Sequence, residues 1–166
     1  MNEKAIRVRA EFKECIKELV STPEVVSMKQ IPQHMQTNCY DHSVYVAYVS
    51  FLICRRLNWD FVSAARGGLL HDLFLYNWRE GKHEGMHGFR HPAVALGNAC
   101  ALCELNDKEK DIIEKHMWPL TITKMPKYKE AFVVNGADKI CAVAEILMIY
   151  KLTKMKSKLD VVLEQI

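Results

Sequence analysis

No segment of the chain is long and apolar enough to cross a bilayer. The longest apolar run, Val44 to Cys54, is interrupted by Ser50 and closed by Arg55 and Arg56, and falls well short of the about 20 helical residues a membrane core requires. It reads as a buried helix, and no membrane partner is expected. The N-terminus, Met1-Asn2-Glu3-Lys4, is charged but is followed by neither an apolar segment nor a small-residue cleavage site, so no secretory signal is expected and the cytoplasm is the expected compartment. Strand-type alternation is scarce, because apolar residues recur at intervals of three and four rather than two. Linkers and internal repeats are also missing, so the 166 residues are read as one domain, 1–166, around one core. There is no dense basic block either. The net charge of +3 comes from scattered lysines and arginines, a poor footprint for nucleic acid, which is not expected as a partner.

What the chain does contain is an ordinary globular balance, 49% hydrophobic and 26% charged, which excludes a mainly disordered chain. Its six cysteines, Cys15, Cys39, Cys54, Cys100, Cys103 and Cys141, mostly sit in apolar helical stretches and are expected as free core thiols in a reducing compartment. Cys100 and Cys103 form a lone CxxC with no second pair and no preceding strand, a weak basis for zinc or redox chemistry.

The periodicity predicts an all-α protein. A first helix spans about Glu3 to Val20 and stops at Ser21-Thr22-Pro23, followed by a loop through Pro32. A second runs from about Asp41 to Leu57, and a third, capped by Asp60, reaches about Leu75. Residues 76–90 hold three glycines and no apolar period, and read as a loop. His91-Pro92 opens the next helix, with proline at its first position, ending near Leu105. Asn106 and Glu109 resemble a capping box for a short helix to about Met117, and a long final helix starts near Lys127. The tail from Lys151 to Ile166 reads as a basic amphipathic helix packed on the domain.

The chemistry lies in polar residues set inside apolar runs. Leu69-Leu70-His71-Asp72-Leu73-Phe74-Leu75 places an imidazole and a carboxylate where burial is expected, and a buried charge needs a partner. Asp138 lies in the apolar stretch Val133 to Cys141, and His42 stands just ahead of Val44-Tyr45-Val46-Ala47. A lone buried histidine is ordinarily hydrogen-bonded in a core, and a lone aspartate is often a cap. One divalent cation would satisfy all three segments at once, since neutral imidazoles and carboxylates are the ligands such ions take. Adjacent helical residues point about 100° apart, so His71 and Asp72 share an ion only if it sits beside their helix, between other helices.

In this order and setting, His42, then His71-Asp72, then Asp138 resembles the HD superfamily of metal-dependent phosphohydrolases, named for its adjacent His-Asp pair. The resemblance covers roughly Asp41 to Ile146, with an apolar helix after His42, Leu69-Leu70 before the pair and Ala137 before Asp138. It implies a compact helical bundle of about six or seven helices, with a metal held by His42, His71, Asp72 and Asp138. Some branches of the family add two histidines before the last aspartate to bind a second metal, bridged by the Asp of the pair, and His91 and His116 look like those ligands. The implied cofactor is one or two divalent ions, with iron, manganese, zinc, magnesium, nickel and cobalt not separated by ligand type. Met117 follows His116, unlike branches with paired histidines and a Gly-Tyr-Pro signature, so a cyclic-dinucleotide specificity is not carried over.

The implied activity is hydrolysis of a phosphate ester or anhydride, of a nucleotide or another small phosphorylated molecule, by metal-activated water. His71 and Asp72 head the catalytic set. Lys139 and, behind it, Lys115, next to ligands, are candidates to meet phosphate or else face solvent; Arg66 offers a bidentate phosphate contact or a surface ion pair, and the loop histidines His83 and His87 either stand in solvent or contact substrate. Two rivals stand beside this reading: a di-iron oxygenase of the same fold, and a metal-ordered nucleotide-binding module without turnover. The sequence is compatible with a homodimer.

Overall fold

The computed structural model describes residues 3–33, 37–79 and 86–147. Among these residues the protein is all-α: seven helices and no strand, and no helix long and apolar enough to cross a membrane. Helix α1 (Glu3–Val20) buries Phe12, Ile16, Leu19 and Val20, a helical spacing that turns one face to the core. The stretch expected to be loop carries a short α2 (Pro23–Ser27), opened by its proline, and a 3-10 turn over Met28–Gln30. A tight return then brings Cys39 N to Ile31 O (2.8 Å) and Gln33 N to Thr37 O (2.9 Å).

Helix α3 (Cys39–Arg56) starts two residues before the expected Asp41 and is capped by Asn38, whose side chain accepts from Asp41 N at 2.7 Å. Asp60 caps α4 (Phe61–Leu70) by accepting from Ser63 N at 3.0 Å. Helices α5 (His87–Leu102), α6 (Asp107–Lys115) and α7 (Lys129–Ile146) complete the bundle, and α6 has the expected reciprocal capping box between Asn106 and Glu109. The expected tail helix and His83 lie outside the described residues. All six cysteines are free; Cys39, Cys54 and Cys141 are buried, whereas Cys100 is exposed rather than in the core.

Two helix boundaries differ from the sequence expectation in ways that shape the interior. Helix α4 ends at Leu70, not near Leu75. The Gly68 carbonyl, which in a continuing helix would take the N–H of Asp72, instead faces His71 Nδ1 at 2.8 Å. The chain then turns through Leu75 at φ 57°, while Asn98 Nδ2 holds the Leu73 carbonyl at 2.7 Å. Helix α5 starts at His87, so Pro92 lies inside it rather than at its first position. Being near the N-terminus, that proline sacrifices only the bond its nitrogen would have donated to Gly88 O.

The Gly67-Gly68 pair sets how closely α4 packs. A Cβ at Gly68 would stand 2.9 Å from Ala47 Cα on α3, and one at Gly67 would stand 2.8 Å from the Ile112 side chain on α6. The obstacle at Gly68 is backbone, which cannot rotate away. Gly68→Ala is therefore expected to lower stability by about 1–3 kcal/mol, as overpacking does. Gly97→Ala, where nothing lies within 4 Å, should be neutral or stabilising by up to about 1 kcal/mol. Urea unfolding of the two variants checks the contrast.

Candidate metal centre

Five elements deliver four imidazoles and two carboxylates to one interior point: His42 from α3, His71 and Asp72 from the end of α4, His91 from α5, His116 from the end of α6 and Asp138 from α7. The four histidines are all buried, none above 4% exposure, and Asp72 is 3% exposed. Each ring is held by its Nδ1. His71 Nδ1 meets Gly68 O at 2.8 Å, His91 Nδ1 meets His87 O at 2.9 Å, and His116 Nδ1 meets Ile113 O at 2.9 Å. His42 Nδ1 meets Glu145 Oε1 at 3.0 Å. A ring nitrogen facing a carbonyl or carboxylate oxygen must carry hydrogen, so in a neutral imidazole held this way the lone pair resides on Nε2; His42, whose Nε2 also faces Asp138 Oδ1 at 3.0 Å, carries a hydrogen on both nitrogens. Such outer partners fix tautomer and orientation in metal-ligating histidines.

The convergence is close. His42 Nε2 and His71 Nε2 lie 3.0 and 3.7 Å from Asp138 Oδ1. Asp72 divides its oxygens: Oδ2 lies 3.5 Å from His71 Nε2, and Oδ1 lies 3.2 and 3.5 Å from His91 Nε2 and His116 Nε2. His91 Nε2 and His116 Nε2 face each other at 2.7 Å. With both Nδ1 atoms donating to carbonyls, two bare lone pairs would confront each other unless a proton or cation stands between them. Asp72 Oδ1 and His71 Nε2 are buried and complete no hydrogen bond.

These observations fit a cation. Ligand atoms bound about 2.0–2.2 Å from one ion stand about 2.8–3.6 Å apart at octahedral or tetrahedral angles, which is close to the spread seen here. Two buried groups could each hold a metal ion, His42 with His71 and Asp72, and Asp72 with His91 and His116. Asp138 adds a carboxylate beside the first.

The electrostatics agree. Burial alone would lower the His42 pKa, but hydrogen bonds to Asp138 and Glu145 outweigh it and raise it to about 10. Burial likewise works against His71, which its neighbours Asp72 and Asp138 raise. His116 is lowered to about 3, first by burial and then by the charge of His71. Burial would push both aspartates up, but His71 with His91 holds Asp72 far below the carboxylate range, and His42 with His71 does so for Asp138. The centre thus keeps a proton on His42, at the nitrogen that would be a ligand if a cation were bound.

A cavity of about 630 Å³ opens onto this cluster, lined among others by Gln33, Trp78, His87, Met117, Leu120 and Lys139. Lys139 is the sequence-predicted phosphate contact that the structure brings here. Its Nζ donates to His116 O at 3.2 Å and Asn135 O at 3.3 Å, and burial lowers its pKa. His87, stacked on Trp78, also lines the cavity. Arg66 does not: five residues before His71 is about 140° around the helix, and its guanidinium is paired with Glu109 at 2.5 Å and Glu104 O at 3.2 Å. Lys115 is likewise turned away, bound to Asp111 at 2.6 Å one helical turn back.

Sequence reading missed Glu145 and Gln33. Glu145 is seven residues after Asp138, two helical turns on the same face, and that spacing could have revealed it. Gln33 Nε2 donates to Asp72 Oδ2 at 2.7 Å, which leaves its Oε1 a buried acceptor with no partner; a polar residue after Pro32 carries no comparable signal. No family model, curated protein or solved structure matches the chain.

Three outcomes are expected. Glu145→Ala, which frees His42 Nδ1, should weaken metal binding about 10- to 100-fold with unchanged far-UV circular dichroism. Metal uptake should also release protons, because a cation displaces the one on His42; affinity should therefore rise with pH until about 10, where that proton leaves anyway. Calorimetric titrations in buffers of different ionisation enthalpy measure the release. For the metal-free protein the sign is opposite: the raised His42 pKa gives stability that is complete below the unfolded value, near 6.5, and is lost as pH rises through about 10.

Proposed function

We propose that the protein is a metal-dependent phosphohydrolase of the HD type. The observation that carries this reading is the division of Asp72: one carboxylate oxygen faces His71 and the other faces His91 and His116, as a bridging ligand between two cations would. In this reading His42, His71, Asp72 and Asp138 hold one divalent cation, and Asp72, His91 and His116 hold a second. Bound there, the cations supply water of lowered pKa and Lewis-acid polarisation of a phosphoryl oxygen.

The chain's own groups supply the positioning. Lys139 spends two N–H bonds on carbonyls, and an ammonium has three, so one remains for a phosphate oxygen and for charge that builds there. Gln33 Nε2 keeps Asp72 in place, and its buried Oε1, without a partner, would be an acceptor for a water held beside the cations. The buried Nδ1 contacts hold the imidazoles still, so little reorganisation accompanies the reaction. Six free thiols fit the reducing cytoplasm as the compartment.

The test is metal content and phosphate release in wild type, His71→Ala and Asp72→Ala. Wild type is expected to carry one or two ions per chain and to release phosphate from a panel of esters and nucleotides; both variants should lose the ions and at least about 100-fold in rate. Wild type that stays metal-free when manganese, iron and zinc are offered would sink the proposal. Iron-dependent oxygen consumption without phosphate release would assign the site to oxygenation instead.

A further inference from the structure

The cavity beside the centre is built unlike a nucleoside polyphosphate site. One wall is a stack of three rings: Trp78 lies on His87 with centroids 5.4 Å apart and planes 19° apart, and His87 lies on His91 at 4.5 Å and 18°. The indole Nε1 is already committed to Pro32 O at 2.9 Å, so the tryptophan presents carbon to the cavity. Met117, Pro119, Leu120 and Ala142 also line it. Leu120 remains 49% exposed, apolar surface that gains from being covered.

Charge is distributed just as unevenly. Among the described lining residues Lys139 is the one lysine or arginine, and it sits one residue from Asp138, at the metal end. A phosphomonoester concentrates its two charges there, on the cations and Lys139. A di- or triphosphate would extend further charge along the apolar wall, where none of the described lining residues offers a second lysine or arginine and a desolvated anion without partners is strongly disfavoured. A sugar phosphate would bring several hydroxyl groups to a wall formed largely by Trp78, Met117, Pro119, Leu120 and Ala142, and hydroxyls left unmet carry a similar penalty. The volume of about 630 Å³ suits a phosphate with one or two rings attached.

Resting on the phosphohydrolase reading, we infer that the substrate is a phosphomonoester of an apolar, ring-bearing alcohol or phenol, bound with its phosphate at the metals and its organic group between the Trp78–His87 stack and Met117–Leu120. Binding and turnover test this separately. Manganese-loaded full-length protein is titrated calorimetrically with 1-naphthyl phosphate, glycerol 2-phosphate, ATP and inorganic phosphate, and phosphate release from the three organic compounds is assayed in parallel. 1-Naphthyl phosphate is expected to bind at least tenfold more tightly than either glycerol 2-phosphate or ATP. Ala142→Phe, one helical turn beyond Asp138, narrows the cavity and should weaken 1-naphthyl phosphate at least tenfold more than it weakens inorganic phosphate. Leu120→Asn, on the exposed rim, should act in the same direction and guards against a folding defect in the first variant.

Equal affinity for the three organic compounds, no binding of 1-naphthyl phosphate, or equal weakening of it and inorganic phosphate in both variants overturns the inference. Selective binding with no phosphate released would leave the ligand class standing and sink the hydrolase reading. Release from ATP and glycerol 2-phosphate as fast as from 1-naphthyl phosphate would do the reverse.

Discussion

A carboxylate that is 97% removed from water, as the 3% exposure of Asp72 implies, must be met by positive charge or by donors. The chain supplies it with one neutral donor, Gln33, and with imidazoles whose hydrogens are mostly spent elsewhere. Asp138 and Glu145 press the same demand onto His42 from both sides. The centre is therefore a concentration of negative charge and lone pairs with too few protons to quiet it. That imbalance organises the bundle: five elements end, bend or open where they must in order to face it.

The ends of α4 and α6 show how local structure serves that demand. Both helices stop immediately before a histidine, and in both the ring's Nδ1 takes a carbonyl three residues back, Gly68 for His71 and Ile113 for His116. The carbonyls that a helix leaves without partners at its C-terminus thus become the devices that orient the imidazoles. Close packing does the rest. Without a side chain at Gly68, α4 lies against the Ala47 backbone, and the His42 and His71 rings come within 5.5 Å, centroid to centroid.

Much of this was legible because it rests on local rules. The extent of α1, the Asp60 cap and the Asn106–Glu109 box follow from periodicity and capping chemistry, and the interior polar residues His42, His71, Asp72, His91, His116 and Asp138 do lie together in the structure. The end of α4 was not legible, because Leu73-Phe74-Leu75 continues the apolar pattern and only a side-chain bond to Gly68 O diverts the backbone. The start of α5 was hidden by Pro92, which marks a helix beginning in most settings but here lies within the first turns. Arg66 and Lys115 face away from the site, the alternative that was open to each, for a single reason. Closeness to a ligand in sequence says nothing about direction on a helix, and each has a nearer carboxylate, Glu109 and Asp111.

The spread of the ligands over α3, α4, α5, α6 and α7 has a consequence beyond chemistry. An ion gripped there would act as a clasp joining segments that run from residue 42 to residue 138, a span most of the described chain lies within, and would bind the folded form alone. Its free concentration would then enter the folding equilibrium logarithmically, so that scarcity loosens the bundle as well as idling the site. Proteases recognise loosened chains. Resistance to proteolysis would then depend on how much of such an ion is free.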